Sequence, residues 1–122
     1  PKCHEYFRRP PFELDRFRSI GISICLGTDS LASNTSLNLF EEMRHLRRNF
    51  PHISSPEILD MVTRRPARAI GLSGELGEIT AGAYADLIAV PYSGAIGGAF
   101  DALIENLLPI RWMMVGGRSQ ST

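Results

Sequence analysis

The residue with the clearest chemical potential in this sequence is Asp29, which follows a short apolar run. That run, residues 22–26 (ISICL), is rich in β-branched side chains and predicts a buried strand closed by Gly27. Because α/β folds place reactive groups just beyond the carboxyl ends of strands, Asp29 is a candidate metal ligand or proton acceptor. An aspartate after a strand is also common as a turn residue or helix cap that binds backbone N–H groups. The residues alone leave both interpretations open.

A polar loop follows this aspartate and leads into an amphipathic helix. The loop carries Ser30, Ser33 and Asn34, and apolar residues at helical spacing predict a helix over residues 37–49. Glu42 is expected on the polar face of that helix. The loop side chains have two possible roles, because they can either cap the helix or contact a substrate.

The rest of the chain predicts short helices and strands around these residues. Residues 1–12 are expected to be a loop, because three prolines interrupt regular structure there. Helices are predicted over 13–19, from Ser54 to before Pro66, over 67–70 and within 100–107, and strands over 85–90 and 110–115. Asp86 is interpreted as a structural residue that binds backbone N–H groups. His45 and His52 are interpreted as exposed residues without a function.

The composition limits the partners of this chain. Its 122 residues are enough for one domain with a core, and 13 acidic and 13 basic residues give zero formal net charge. Such a balance predicts no nucleic-acid partner, and no apolar run approaches the roughly 20 residues of a membrane helix. Cys3 and Cys25 lack the spacing of a metal motif, which favours a reduced, cytoplasmic setting, and Cys25 is expected to be a buried apolar residue.

Two groups of motifs resemble one enzyme family. Residues 26–30 (LGTDS), residues 32–34 (ASN) and residues 41–44 (EEMR) resemble the last barrel strand and the following helix of the metal-dependent amidohydrolases. The resemblance is closest to the aminohydrolases and chlorohydrolases that act on purine, pyrimidine and triazine rings. Residues 66–71 (PARAIG) and 85–88 (ADLI) resemble the region where that family leaves the barrel and enters a small β-sandwich.

The resemblance implies an α/β fold in two parts. Residues 1–72 would form the last strand and the final helices of a (β/α)₈ TIM-type barrel, and residues 73–122 would form the C-terminal strands of the β-sandwich. The other barrel strands of the family have no counterpart here, so the chain resembles a C-terminal fragment. A barrel strand without its neighbours exposes an edge and apolar faces, which predicts a homo-oligomer.

The resemblance also implies the chemistry. Asp29 matches the family's last-strand aspartate and would be both a catalytic residue and a ligand to a divalent metal ion, Zn²⁺ most readily or Fe²⁺. The histidine ligands of the family would lie outside this chain. The metal lowers the pKa of its bound water and the carboxylate accepts the proton, so that a nitrogen heterocycle is deaminated or dechlorinated. The isolated chain is expected to be inactive.

Substrate contacts are expected at His4, Ser30 and Asn34. Residues 2–7 (KCHEYF) are similar to the loop after the family's seventh strand, where a histidine that matches His4 lies near a small heterocyclic substrate. Alternatively, His4 is a surface histidine on a terminal loop. A second hypothesis for the whole chain is a non-catalytic structural remnant that self-associates. A phosphate-binding domain is disfavoured, because the chain lacks a Gly-rich loop with a partner lysine.

Overall fold

A computed structural model describes residues 2–120, which form six short helices and one three-stranded sheet. The helices are α1 (Lys2–Tyr6), α2 (Leu14–Ser19), α3 (Leu39–Asn49), α4 (Ser55–Val62), α5 (Arg64–Ala69) and α6 (Ala99–Ile104). The strands are β1 (Leu87–Ala89), β2 (Trp112–Val115) and β3 (Arg118–Gln120), and a 3₁₀ turn, Ile96–Gly98, precedes α6. Within this described part, every helix is too short or too polar to cross a lipid bilayer.

The hydrophobic core lies among α2, α3, α4 and α6. Helix α4 packs against both α3 and α6, and Ile58, Met61 and Ile104 are fully buried between them. The remaining buried members of this cluster are Leu14, Met43, Leu46 and Ile53. Burying each such side chain contributes about 1.5–3 kcal/mol, so this cluster is the main support of the helices. The apolar face predicted for the helix over residues 37–49 is confirmed at Met43 and Leu46, whereas Leu37 precedes α3 and is 57% exposed.

The start of α4 is the one that the sequence predicts. Ser54 has an extended backbone, and its side chain accepts a hydrogen bond from the Glu57 backbone N–H. Pro56 lies in the first turn, where its missing N–H has no helical partner to lose. The predicted helix start at Ser54 is thus confirmed.

The start of α3 differs from the expected one. Its cap is Asn38, whose side chain accepts a hydrogen bond from the Phe40 backbone N–H at 3.0 Å. The hypothesis that Ser30, Ser33 or Asn34 caps this helix is therefore wrong. Those residues lie too far before the first turn, and only a side chain beside that turn reaches its free N–H groups.

The sheet is antiparallel throughout, in the order β1-β2-β3. Gly116 and Gly117 join β2 to β3 with φ angles of 55° and 76°, a left-handed backbone that glycine adopts without steric cost. The Asp86 carboxylate accepts a hydrogen bond from the Gly116 N–H at 2.6 Å, which fixes this turn against the start of β1. The predicted structural role of Asp86 is confirmed.

The strand predicted over residues 22–26 is not formed within the described part of the chain. The segment is extended, but its backbone contacts are single hydrogen bonds, such as the one from Leu26 N–H to the Met61 carbonyl at 2.9 Å. A strand requires a paired neighbour, and the described residues place none beside this segment. Cys25 is consequently exposed rather than buried, and Ile22 is 47% exposed.

The loop predicted over residues 1–12 is partly wrong, because Lys2–Tyr6 forms α1; Pro1 lies outside the described residues. Contacts with α3 stabilise this short helix. The Lys2 ammonium lies 2.6 Å from Glu41, and the Lys2 backbone N–H donates to Glu42. Tertiary contacts thus override a local sequence that favours a loop.

Candidate active site

Asp29 lies on the surface, on the loop between the extended segment and α3. Its φ of 58° is left-handed, a conformation that aspartate tolerates better than most residues. The side chain is exposed, and its Oδ2 accepts hydrogen bonds from Ser33 Oγ at 2.9 Å and from Cys3 Sγ at 3.0 Å. The site therefore combines the loop with the first turn of α1.

These contacts favour the charged form of Asp29. The hydrogen bond from the Cys3 thiol, followed by that from Ser33, lowers the pKa of the Asp29 carboxyl below its ordinary value of 3.8. The backbone of Ser30 adds a smaller effect in the same direction. A carboxylate that is ionised at neutral pH can act as a cation ligand or accept a proton.

Asn34 is buried, and its amide makes three hydrogen bonds. Its Nδ2 donates to the Thr28 carbonyl at 2.8 Å and to Glu42 Oε1 at 2.6 Å, and its Oδ1 accepts from the Thr35 N–H at 2.8 Å. These bonds hold the loop in a closed turn around Asp29. The expected contact between Asn34 and a substrate stays a prediction, and so does that of Ser30, which is exposed beside Asp29.

Glu42 is the residue of this region that sequence reasoning placed wrongly. It was expected on the polar face of α3, but only 1% of it is exposed. It follows Glu41 and precedes the buried Met43, so it borders the apolar face rather than opposing it. Its position beside the apolar stripe of α3 is the sequence signal that indicates burial. That signal is weak, because a carboxylate is rarely buried unless it is paired or hydrogen-bonded.

His4 belongs to a different surface from Asp29. Its Nδ1 lies 3.2 Å from the Pro10 carbonyl, and its ring packs edge-on against Phe12. It lines a cavity of about 240 Å³ whose other walls include Leu26 and Met61, and Asp29 is not among the lining residues. The structure thus brings Cys3, Ser30, Ser33 and Asn34 together around Asp29, but it does not add His4.

The other two histidines lie apart from this site. His52 is exposed, as expected, and its Nε2 lies 2.9 Å from Asp15 Oδ1. His45 is not exposed as expected, since only 15% of its side chain is accessible, and it lies 3.7 Å from Glu5. Among residues 2–120, no three histidine, cysteine or acidic side chains cluster as a metal site. The role of Asp29 as a metal ligand stays a prediction.

A mainly apolar cavity lies away from Asp29, between the helices and the sheet. It has a volume of about 590 Å³, and its walls include Phe40 and Met43 of α3, Phe100 of α6 and Ile88 of β1. Asp29 does not line it. Its position shows that the sheet and the helices face each other across an incompletely filled space.

Comparisons with known proteins identify the relatives of this chain. The model of the amidohydrolase family matches residues 14–118. The 5-methylthioadenosine/S-adenosylhomocysteine deaminase of Acetivibrio thermocellus is 39% identical over 85 residues, which are 64% of this chain and 20% of that protein. The 5'-deoxyadenosine deaminase of Methanoregula boonei is 44% identical over 77 residues, which are 57% of this chain and 17% of that protein. The chain thus spans about a fifth of the length of these relatives.

A solved structure shows the same fold. The guanine deaminase of E. coli superposes with a TM-score of 0.83 at 19% sequence identity, and the match covers 98% of this chain and 32% of that protein. At this identity the similarity concerns the fold alone. It nevertheless includes almost the whole chain, so the helices and the sheet described above recur together in a longer protein.

Proposed function

Because this chain belongs to the amidohydrolase family, we propose that it is the part of a metal-dependent hydrolase that supplies Asp29. The position of Asp29 carries this proposal. It follows an extended apolar segment, its carboxylate is charged, and two side-chain donors hold it in a left-handed turn. In a complete barrel, residues 22–26 would form the last of eight strands, and the other strands and helices would cover the side chains that are exposed here. The sheet would then belong to a small β-sandwich.

The proposed reaction is hydrolytic removal of ammonia from a nitrogen heterocycle. A bound divalent cation, Zn²⁺ or Fe²⁺, would supply the acidity that lets a water molecule lose a proton near neutral pH. Asp29 accepts that proton, and the hydroxide adds to the ring carbon that bears the amino group. Asp29 then returns the proton to the amino nitrogen, which leaves as ammonia when the C–N bond breaks. The hydrogen bonds from Cys3 and Ser33 keep the carboxylate ionised and ready for the first of these steps.

The proposed substrate is an adenine nucleoside or a related purine. Both relatives described above are named as deaminases of adenosine derivatives, and they are 39% and 44% identical to this chain where they match. Hydrolytic dechlorination is the alternative within the same family. Ser30, with its exposed hydroxyl beside Asp29, is the proposed substrate contact of the loop. His4 is a second proposed contact if the complete barrel closes the space between His4 and Asp29.

Ammonia release by the full-length protein that contains this chain tests the proposal. Adenosine, 5'-deoxyadenosine and S-adenosylhomocysteine would be compared, with Zn²⁺ or Fe²⁺ supplied. Asp29→Asn should lower kcat by about 10²–10⁴-fold, because an amide cannot accept the proton. The matched control is Asp15→Asn, which changes an exposed carboxylate on α2 and should leave kcat unchanged. Full activity of Asp29→Asn would contradict the proposal.

A second candidate function is self-association of this chain as a non-catalytic remnant. The observation that favours it is the unpaired extended segment around Ile22, with Ile20 beside it 66% exposed. An open edge with apolar side chains favours pairing with another copy. Sedimentation equilibrium of the 122-residue chain tests this candidate. It predicts a defined oligomer without tightly bound zinc, and a monomer would contradict it.

A further inference from the structure

Two buried polar side chains lie beneath the Asp29 loop, and the proposed chemistry uses neither. Asn34 is 6% exposed and Glu42 is 1% exposed. Burial of a carboxylate costs free energy unless hydrogen bonds compensate for the lost water. Here the compensation comes from the loop and from α1, so that Glu42 is coupled to both segments that surround Asp29.

The first connection runs through the loop. Asn34 Nδ2 donates to Glu42 Oε1 at 2.6 Å and also to the carbonyl of Thr28 at 2.8 Å. Thr28 directly precedes Asp29, so this carbonyl belongs to the peptide group that sets the direction of the Asp29 backbone. Displacement of the Asn34 amide would therefore move the residue that the proposal makes catalytic.

The second connection runs through the start of α1. Glu42 Oε2 accepts the backbone N–H of Lys2 at 3.3 Å, and the next residue, Cys3, donates its thiol to Asp29 Oδ2. The buried Glu42 carboxylate is thus connected to Asp29 along two separate routes of hydrogen-bonded residues. A network in which every member is hydrogen-bonded is stiffer than any one of its bonds.

We propose that Glu42 is a positioning residue for Asp29, acting through Asn34 on one side and through Lys2 and Cys3 on the other. This inference rests on the proposed catalytic role of Asp29. Glu42 contacts no substrate itself, because it does not face solvent. A misplacement of a reacting group by about 1 Å can lower a rate by about 100-fold, so loss of the network should act on kcat.

The test uses Glu42→Gln and Asn34→Ala in the full-length protein. Two measurements are made: amide hydrogen exchange over residues 28–35, and kcat and KM for ammonia release from 5'-deoxyadenosine. We expect exchange to be faster in both variants. Asn34→Ala removes the amide that holds the turn, and Glu42→Gln leaves one acceptor oxygen where two carboxylate oxygens accept from Asn34 and Lys2. We also expect kcat to fall about 10- to 100-fold while KM changes by less than about threefold.

The matched control is Glu13→Gln. It makes the same change at an exposed carboxylate before α2 that pairs with Arg16, away from α1 and from the Asp29 loop. Its exchange and kinetics should equal those of the unmodified protein. Circular dichroism checks folding, and if Glu42→Gln does not fold, Asn34→Ala decides the test, because its side chain lies in the loop rather than in the core.

The outcomes separate this inference from the proposed function. Variants that fold and match Glu13→Gln in both exchange and kcat would overturn the positioning role. Faster exchange with unchanged kcat would overturn it as well, provided that Asp29→Asn is inactive. An active Asp29→Asn protein would instead contradict the proposed function. It would also contradict the positioning role, which depends on that function.

Discussion

The thiol of Cys3 donates a hydrogen bond to Oδ2 of Asp29 over 3.0 Å, although 26 residues separate the two in the sequence. This contact makes α1 a part of the candidate active site rather than a terminal extension. It is also the largest cause of the lowered pKa of Asp29. The site is therefore assembled by tertiary structure, since the loop alone supplies only Ser33 as a side-chain donor.

Replacement of Cys3 by valine should weaken the site, because valine fills similar space without a donor. In the full-length protein, kcat for deamination should fall about 10-fold, which corresponds to one hydrogen bond to a charged group. Cys3→Ser is the matched control, because its hydroxyl keeps a donor near the carboxylate, and its kcat should stay close to the unmodified value. Equal activity of the valine and serine variants would contradict this role.

Gly77 should be far less replaceable than Gly74. Both have nearly the same left-handed φ, 80° and 81°, but a Cβ at Gly77 would lie 2.5 Å from the Thr63 carbonyl oxygen, whereas one at Gly74 would meet nothing within 4 Å. Gly74→Ala should therefore cost about 1 kcal/mol from backbone strain alone. Gly77→Ala should cost about 1–3 kcal/mol more, because the backbone must shift.

Urea unfolding of the two glycine variants, followed by circular dichroism, measures this difference in the free energy of unfolding. The pair controls for φ, so that the contacts with the backbone of Thr63 and Arg64 distinguish the two variants. Equal losses of stability in Gly74→Ala and Gly77→Ala would show that the turn after α5 relaxes freely. In that case, Gly77 would not fix the distance between this turn and the end of α4.

Local signals predicted the parts of this fold that depend on neighbouring residues. The cap of α4 requires only Ser54 and Glu57, which are three residues apart, and the turn after β2 requires only the adjacent Gly116 and Gly117. Asp29 was identified in the same way, as a polar residue after an apolar run. Its catalytic role was not decided by the residues alone, because a turn aspartate has the same local pattern.

Features that depend on distant residues could not be predicted. Helix α1 is stabilised by contacts between Lys2 and α3, and no local pattern encodes them. The segment at residues 22–26 has the composition of a strand, but its pairing requires neighbours that the described chain does not place there. Burial of Glu42 likewise results from Asn34 and Lys2, which approach it from separate segments.

The Asp101 carboxylate should make the thermal stability of the chain depend on pH. The hydrogen bonds that its carboxylate accepts from Ser55 and then from Arg47 lower its pKa below 3.8. A lowered pKa in the folded state contributes stability that is present above pH 3.8 and is lost as the pH falls through the folded value. Asp101→Asn should therefore lower the thermal midpoint at neutral pH, with a difference that shrinks below pH 3.8.

Thermal unfolding from neutral to acidic pH measures this effect. Glu105→Gln is the matched control, because Glu105 also approaches Arg47, at 3.7 Å, but makes no hydrogen bond to Ser55. Its effect at neutral pH should be smaller than that of Asp101→Asn. An Asp101→Asn midpoint that runs parallel to the unmodified one at every pH would exclude a contribution from this carboxylate.

His45 should produce a second pH dependence in a different range. Burial lowers the pKa of its imidazole below 6.5, and the nearby Glu5 carboxylate opposes this effect only in part. Between the folded value and 6.5, the unfolded chain binds a proton that the folded chain does not, so stability should fall as the pH decreases below 6.5. One such proton contributes at most about 1.4 kcal/mol per pH unit. Urea unfolding between pH 7.5 and 5.5 measures the slope, which should be shallower in His45→Gln while the two proteins agree at the upper end. Identical slopes would show that folding does not lower the pKa of this imidazole.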